Sequence, residues 1–237
     1  MSYMSKIKLA KVFRRKNLQS EDDFYKKIFT ENKKWNRAWP NSDEKLRWCT
    51  IEKFLYFIEG YDAALSKESK KDILDVGCGR GWLSNILSRH GNIIGIEPVK
   101  AVVDYGRRLF PSLDLRIGTA ESLIDEGYSA HFDIIVCSEV IEHIADDQKP
   151  EFLNELKKLL KEDGFLILTT PRKNAEIEWK KYGDPEQPIE NWLFEEALAN
   201  LLSQAGFKIH FLKKLSMSPV KRAPQIEIYQ LWLVQKT

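Results

Sequence analysis

The stretch Ile73–Gly81, ILDVGCGRG, is a short apolar run that stops at three glycines spaced G-x-G-x-G. A strand covered on both faces reads as such an unbroken apolar run. Glycine beyond it lets the backbone turn sharply and lets a ligand approach with no Cβ in the way. The helix expected from Trp82 would add free amides at its N-terminus. In an open parallel sheet, ligands bind beyond the carboxyl ends of the strands. The turn Gly77–Gly81 is therefore the expected cofactor site.

The pattern around it agrees. Strand-like runs recur at Ile73–Val76, Ile93–Glu97, Leu113–Ile117, Phe132–Cys137 and Phe165–Thr169. Helical runs, Trp82–Arg89, Val99–Leu109 and Pro150–Lys161, lie between most of them. Short apolar strands alternating with amphipathic helices predict a parallel sheet covered on both faces. After a polar stretch, the helical run NWLFEEALANLLSQAG ends at Gly206, and strands are expected at Phe207–Leu215 and Ile226–Val234. The gap between those last two is too short for a crossover helix, so they are expected to form an antiparallel pair at one edge.

Before Lys71 the texture is helical. Phe24, Ile28 and Phe29 share one stripe; Trp48, Ile51, Leu55 and Ile58 share another; Pro40 and Asn41 separate them. Residues 1–20 carry Lys6, Lys8, Lys11, Arg14, Arg15 and Lys16 without one acid. They read as a solvated arm or, alternatively, as a phosphate or anionic-lipid contact. The boundaries expected are 1–70 for a basic arm and helical extension or lid, and 71–237 for the cofactor-binding domain.

Composition narrows the class. Across 237 residues the hydrophobic content is 43%, the charged content 30% and the net charge +2. Those values are ordinary for a globular protein, and they give no global case for nucleic-acid binding. No run is apolar enough to span a bilayer, and the first residues lack a secretory h-region. Three scattered cysteines, Cys49, Cys78 and Cys137, form neither a disulfide framework nor a zinc pattern. A cytoplasmic setting is expected.

The identity of the cofactor turns on one position. A dinucleotide site wants G-x-G-x-x-G, and its third glycine falls on Trp82. Glu97 ends the second strand 20 residues beyond Gly77, where a carboxylate receives ribose hydroxyls.

ILDVGCGRG, followed by IIGIEP, GTAESL, FDIIVCSEVIEHI and FLILTTP, resembles the class I S-adenosylmethionine-dependent methyltransferase family. The likeness runs from about Lys71 to Thr237. It implies a doubly wound, seven-stranded, mostly parallel α/β sheet of the Rossmann-like methyltransferase kind, with an N-terminal helical extension and an antiparallel edge strand. It implies S-adenosylmethionine as cofactor and S-adenosylhomocysteine as product. It sets the methionine part against Asp75, Gly77, Cys78 and Gly79, the ribose on Glu97, and adenine near Thr119, Ala120 and Glu121. It sets Cys137, Ser138 and Glu139 beside the methyl group. Many relatives carry aspartate where Thr119 stands, so adenine is expected to rely here on backbone amides and on stacking.

The methyl acceptor should lie beside SEVIEHI, Ser138–Ile144. If a helical turn starts there, Glu139, Glu142 and His143 share one face. Three roles stand open for His143: general base, ligand of a divalent metal with Glu139 and Glu142, or structural hydrogen-bonding residue. A similar E-x-x-E-H run occurs in ubiquinone-biosynthesis O-methyltransferases and in small-RNA 2′-O-methyltransferases. The latter add a downstream histidine that the loop after Pro171 lacks, so the metal is not favoured. His143 with Glu139 is the catalytic pair expected. His90 and His131 are set aside. Cys78 is either a small residue that fits its turn or a thiol of lowered pKa.

Trp35, Trp39, Trp48, Tyr56 and Phe57 are candidates for a lid over the site. In the loop Arg172–Trp192, Trp179 and Tyr182 suit a sugar ring and Arg172 suits a phosphate. The function expected is methyl transfer, at oxygen, to a small polar molecule such as a sugar or a quinol. An RNA 2′-O-methyltransferase and a non-catalytic cofactor-binding protein are the alternatives. The oligomeric state is not fixed by the sequence.

Overall fold

The computed structural model describes residues 23–32, 40–65, 70–183 and 187–237. Two helices come first, α1 (23–30) and α2 (Ser42–Ala64). The alternating part follows as β1 (Lys71–Val76), α3 (Trp82–Leu87), β2 (Gly91–Glu97), α4 (Lys100–Leu109), β3 (Asp114–Ile117), α5 (Ala120–Asp125) and β4 (Phe132–Ser138). A 3-10 turn, Ile141–His143, leads to α6 (Lys149–Leu159) and β5 (Leu160–Pro171). The chain ends with α7 (Glu176–Lys180), α8 (Glu195–Gln204), β6 (Phe207–Met217) and β7 (Ile226–Lys236).

One seven-stranded sheet has the order β3-β2-β1-β4-β5-β7-β6. The first five strands in that order are parallel; β7 runs antiparallel to both β5 and β6. The expected antiparallel pair is present, with β7 inserted inside the edge and β6 forming it. Strand order reverses between β1 and β4, which opens the crevice where such sheets bind ligands.

Alternation along the strands makes two cores. Ile73, Val136 and Ile167 face α2 and α3, packed with Ile51, Leu55, Ile58, Leu83 and Leu87. Leu74, Ile135, Cys137, Leu166 and Leu168 face the other way, against Leu153 and Leu156 of α6 and Leu198 and Leu202 of α8. The Trp48–Ile58 stripe of α2 is thus shared core. Asn41 caps this helix in a reciprocal box with Glu44. That cap is worth about 1 kcal/mol, against about 1.5–3 kcal/mol for each buried apolar side chain. Packing therefore fixes where α2 lies.

Two local readings shift. The strand expected from Phe165 begins at Leu160, whose partner is Phe132 across a bulge, so α6 stops at Leu159. Helix α5 lacks an apolar stripe of readable length, yet Thr119 and Ser122 cap it reciprocally.

Candidate active site

The glycine turn sits at the carboxyl end of β1. Gly77, Gly79 and Gly81 have φ of 69°, 52° and 82°, the left-handed region that other residues enter at a cost of roughly 1–2 kcal/mol. Their roles differ. A Cβ on Gly77 would stand 2.5 Å from Cγ2 of Val140, and one on Gly81 would stand 2.9 Å from Leu115. These two let neighbouring elements close in. At Gly79 the nearest atoms are those of the Phe29 ring, 3.8 Å away. Gly79 is therefore the bare backbone of the cradle, and α1 roofs it.

Asp75 stands on β1, two residues before the turn. It is buried and accepts a 2.6 Å hydrogen bond from the Ser84 hydroxyl. Burial pushes its carboxyl up to about 7 and the charge of Glu97 adds to this, while Ser84 opposes them. The Ser84 bond ties β1 to α3. Glu97 is buried at the tip of β2, and its Oε1 accepts the amide of Val99 at 3.1 Å. Gly118 closes the adjacent loop onto the Glu97 carbonyl at 3.2 Å. Thr119 is exposed, and its hydroxyl accepts from Ser122 as the cap of α5. Ala120 is buried and Glu121 is exposed beside it.

Cys78 is buried and its thiol is pushed well up, by desolvation and by Asp75 and Glu97. That overturns the lowered-pKa reading. Cys137 lies wholly inside the core toward α6 and α8, so only its backbone is available to a ligand.

The turn after β4 abuts the glycine turn through Val140 and Gly77. Glu139 there has φ of 59°, a strained value for its residue type. Three contacts hold it. Its amide donates to the Thr169 carbonyl at 3.0 Å, its Oε1 accepts the Thr169 hydroxyl at 2.8 Å, and Arg47 of α2 pairs with it at 3.2 Å. The side chain keeps 21% of its surface exposed. Desolvation raises its carboxyl to about 8, against the pull of Arg47. Arg47 also pairs with Asp43 at 3.1 Å and lies 4.7 Å over the Tyr229 ring, whose hydroxyl donates to Asp43 at 2.9 Å. The sequence reading missed Arg47, Asp43 and Tyr229.

The expected common face of Glu139, Glu142 and His143 does not form. Residues 141–143 make a 3-10 turn, and Glu142 is buried, accepting from the Thr170 hydroxyl at 2.9 Å. Thr169 and Thr170 are neighbours in a strand and point to opposite faces, so the two glutamates are drawn apart. Among the described residues no group of three or more His, Cys, Asp or Glu side chains is placed to hold a metal. Burial raises Glu142 to about 7.

His143 lies with Nδ1 2.7 Å from the Ile189 carbonyl and Nε2 3.9 Å from Glu142. A carbonyl only accepts, so Nδ1 carries the proton and the neutral ring keeps its lone pair on Nε2. Tyr25 of α1 packs its edge on this ring at 5.9 Å.

Three of the aromatics expected over the site lie elsewhere. Trp48 is core, Tyr56 packs on His90, and Phe57 packs on Phe211. Trp35 and Trp39 lie outside the described residues, as does the basic arm. Tyr25 packs on His143 and Phe29 lies over Gly79. Arg172 does not await a phosphate: it is buried between Glu195 and Glu227. Trp179 packs on the core. His90 and His131 precede β2 and β4, at the opposite end of the sheet. His210 is paired with Gln235.

A family model described as a methyltransferase domain matches residues 50–211. The chain belongs to this family. It is 35% identical over 116 residues to a ubiquinone biosynthesis O-methyltransferase of Bartonella tribocorum, covering 47% of this chain and 44% of that protein. It is 29% identical over 168 residues to the enzyme of the same name from Actinobacillus pleuropneumoniae serotype 5b, covering 63% of this chain and 71% of the relative. The match to the first thus spans less than half of that relative's length. Among solved structures, a SAM-dependent methyltransferase from Methanosarcina mazei superposes with a TM-score of 0.60 at 20% identity, over 71% of this chain and 93% of its own. Magnesium protoporphyrin IX methyltransferase from Synechocystis, with bound SAM, gives 0.57 at 14%, over 91% and 90%. The fold is that of the S-adenosylmethionine-dependent methyltransferases. The methyltransferase domain's residues fit that cofactor: a left-handed glycine cradle with bare backbone at Gly79, and a buried carboxylate at the tip of the neighbouring strand. Among the described residues no helix is long and apolar enough to cross a membrane.

Proposed function

We propose that this protein methylates an oxygen of a small polar acceptor, of quinol-like or sugar-like chemistry, with S-adenosylmethionine as donor. The names of the similar curated proteins support the oxygen and the small acceptor. The observation that carries the reading is the meeting of two turns at the reversal of strand order, with Val140 seated against Gly77. Donor-side and acceptor-side residues therefore share one crevice. Residues 1–70 serve as arm and lid, and 71–237 as the donor-binding unit.

Bound S-adenosylmethionine supplies an activated methyl whose departure leaves a neutral thioether. Gly79 would let the backbone approach it, next to the Gly77–Val140 contact, and Glu97 would accept hydrogen bonds from its ribose. The adenine end lies by Thr119, Ala120 and Glu121. With the Thr119 hydroxyl engaged in its cap, backbone amides carry that contact. Ser138 and the Cys137 backbone line the reacting end. A hydroxyl acceptor is a poor nucleophile until its proton leaves, and Nε2 of His143 takes that proton. The ionised carboxyl of Glu142, 3.9 Å from Nε2, would stabilise the imidazolium charge that results. Glu139, held by Arg47 and Thr169, forms the wall that orients the acceptor. Alignment of this kind supplies about 7–11 kcal/mol in favourable cases.

The test is turnover with donor carrying an isotopically labelled methyl, against a panel of catechols, quinols, sugars and short RNAs. Label on a catechol, quinol or sugar oxygen supports the reading. Label on RNA alone, or binding of S-adenosylhomocysteine with no transfer to any of them, contradicts it.

A further inference from the structure

Three contacts join residues 187–192 to the site. The Ile189 carbonyl accepts from Nδ1 of His143 at 2.7 Å, the Asn191 amide donates to the Glu142 carbonyl at 2.8 Å, and the Tyr25 hydroxyl donates to Gln187 at 3.3 Å. The far end is pinned as well. Trp192 is buried, its indole donates to Glu190 at 2.9 Å, and Leu193 accepts from Gln230 at 2.8 Å. The segment thus clasps the 3-10 turn by its backbone, between the roof helix and the core.

We infer that residues 187–192 are the positioning element of His143. Docked, they fix the imidazole with Nδ1 protonated and Nε2 as the acceptor nitrogen. Two features carry this. The bond to Ile189 can be made by only one neutral tautomer. The neighbouring Asn191–Glu142 bond holds that carbonyl in register with the ring, so ring and segment move together. Tyr25 touches both the ring and Gln187, which joins the roof to the same unit. The opposite assignment, in which His143 merely holds the loop down, predicts different behaviour and is separable by experiment.

This rests on the proposed role of His143, so the first readout needs neither donor nor acceptor. Nitrogen-15 spectra of the free protein near pH 8, with His143 assigned by its loss in His143→Asn, should show a protonated Nδ1 and an unprotonated Nε2. An Nε2-protonated or averaged ring would overturn the inference. Asparagine retains a donor at the Nδ1 position. His143→Asn should therefore keep thermal stability close to wild type and still lose turnover. Full turnover in that variant would assign His143 a structural role only. Asn191→Pro removes one clasp bond. It should average the ring signals and lower kcat about 10²-fold with little change in KM; an unchanged tautomer and kcat would overturn the inference. Should that variant not fold, the wild-type spectrum and His143→Asn still decide.

Discussion

The proposed donor and acceptor sides of the crevice are built in different ways. The donor side is local: Asp75, the glycine turn and Ser84 span ten consecutive positions, and Glu97 stands on the next strand. The acceptor side is gathered from far apart: Arg47 from α2, Glu139 and His143 after β4, Thr169 and Thr170 from β5, Ile189 beyond it and Tyr229 from β7. A turn whose residues brace one another survives changes elsewhere. A site assembled from five segments can be retuned piece by piece. The donor side should therefore bind independently, and the acceptor side should fail in separable steps.

The largest separation comes from His143→Ala. We expect kcat to fall about 10²–10⁴-fold while S-adenosylhomocysteine binding, read by calorimetry, stays within about twofold of wild type. Loss of both together would erase the distinction between the sides.

Next is Arg47→Met. Breaking a buried pair costs about 3–5 kcal/mol when the remaining charge is stranded. Here desolvation pushes the Glu139 carboxyl up from an ordinary 4.5 to about 8. It escapes by taking a proton. The loss in denaturant stability should thus be nearer 3 kcal/mol at pH 9 and clearly smaller at pH 6. An equal loss at both would mean that Arg47 does not face this carboxyl.

Gly77→Ala probes the contact between the sides. Its left-handed φ and the Val140 methyl should together cost about 2–3 kcal/mol, against about 1 for Gly79→Ala. The reverse ranking would place the close approach at Gly79.

The smallest effect is the pH slope of the donor side. The folded carboxyl of Asp75 is raised from 3.8 to about 7. Its contribution is full below 3.8 and is lost as pH rises through 7. Asp75→Asn should flatten the fall in thermal midpoint between pH 5 and pH 8 by about 5 °C. No change in slope would remove Asp75 as its source.

The same contrast explains what could be read from the chain. The place of Glu97 at the tip of β2 was legible because its offset from Gly77 is set by one strand–helix–strand unit. Trp48, Ile51, Leu55 and Ile58 were legible because helical periodicity declares a buried face. Arg47 was not: it differs from any surface arginine of a helix only in what lies opposite. The split between Glu139 and Glu142 was hidden because a 3-10 turn and a left-handed Glu139 replaced the expected α-turn. Ile189 acts through its carbonyl, so its side chain carries no signal. For α5 a signal did exist, in the Thr119–Ser122 spacing.

The placement of the donor is tested most directly by titrating S-adenosylhomocysteine into the wild-type protein and into Glu97→Ala. Saturable heat is expected from the first, and affinity weaker by about 2 kcal/mol, roughly thirtyfold, from the second, since hydrogen bonds to a buried carboxylate are each worth about 1.5–3 kcal/mol. No heat from the folded wild-type protein, or equal affinity in the two, would contradict a donor cradled by the glycine turn and gripped by Glu97.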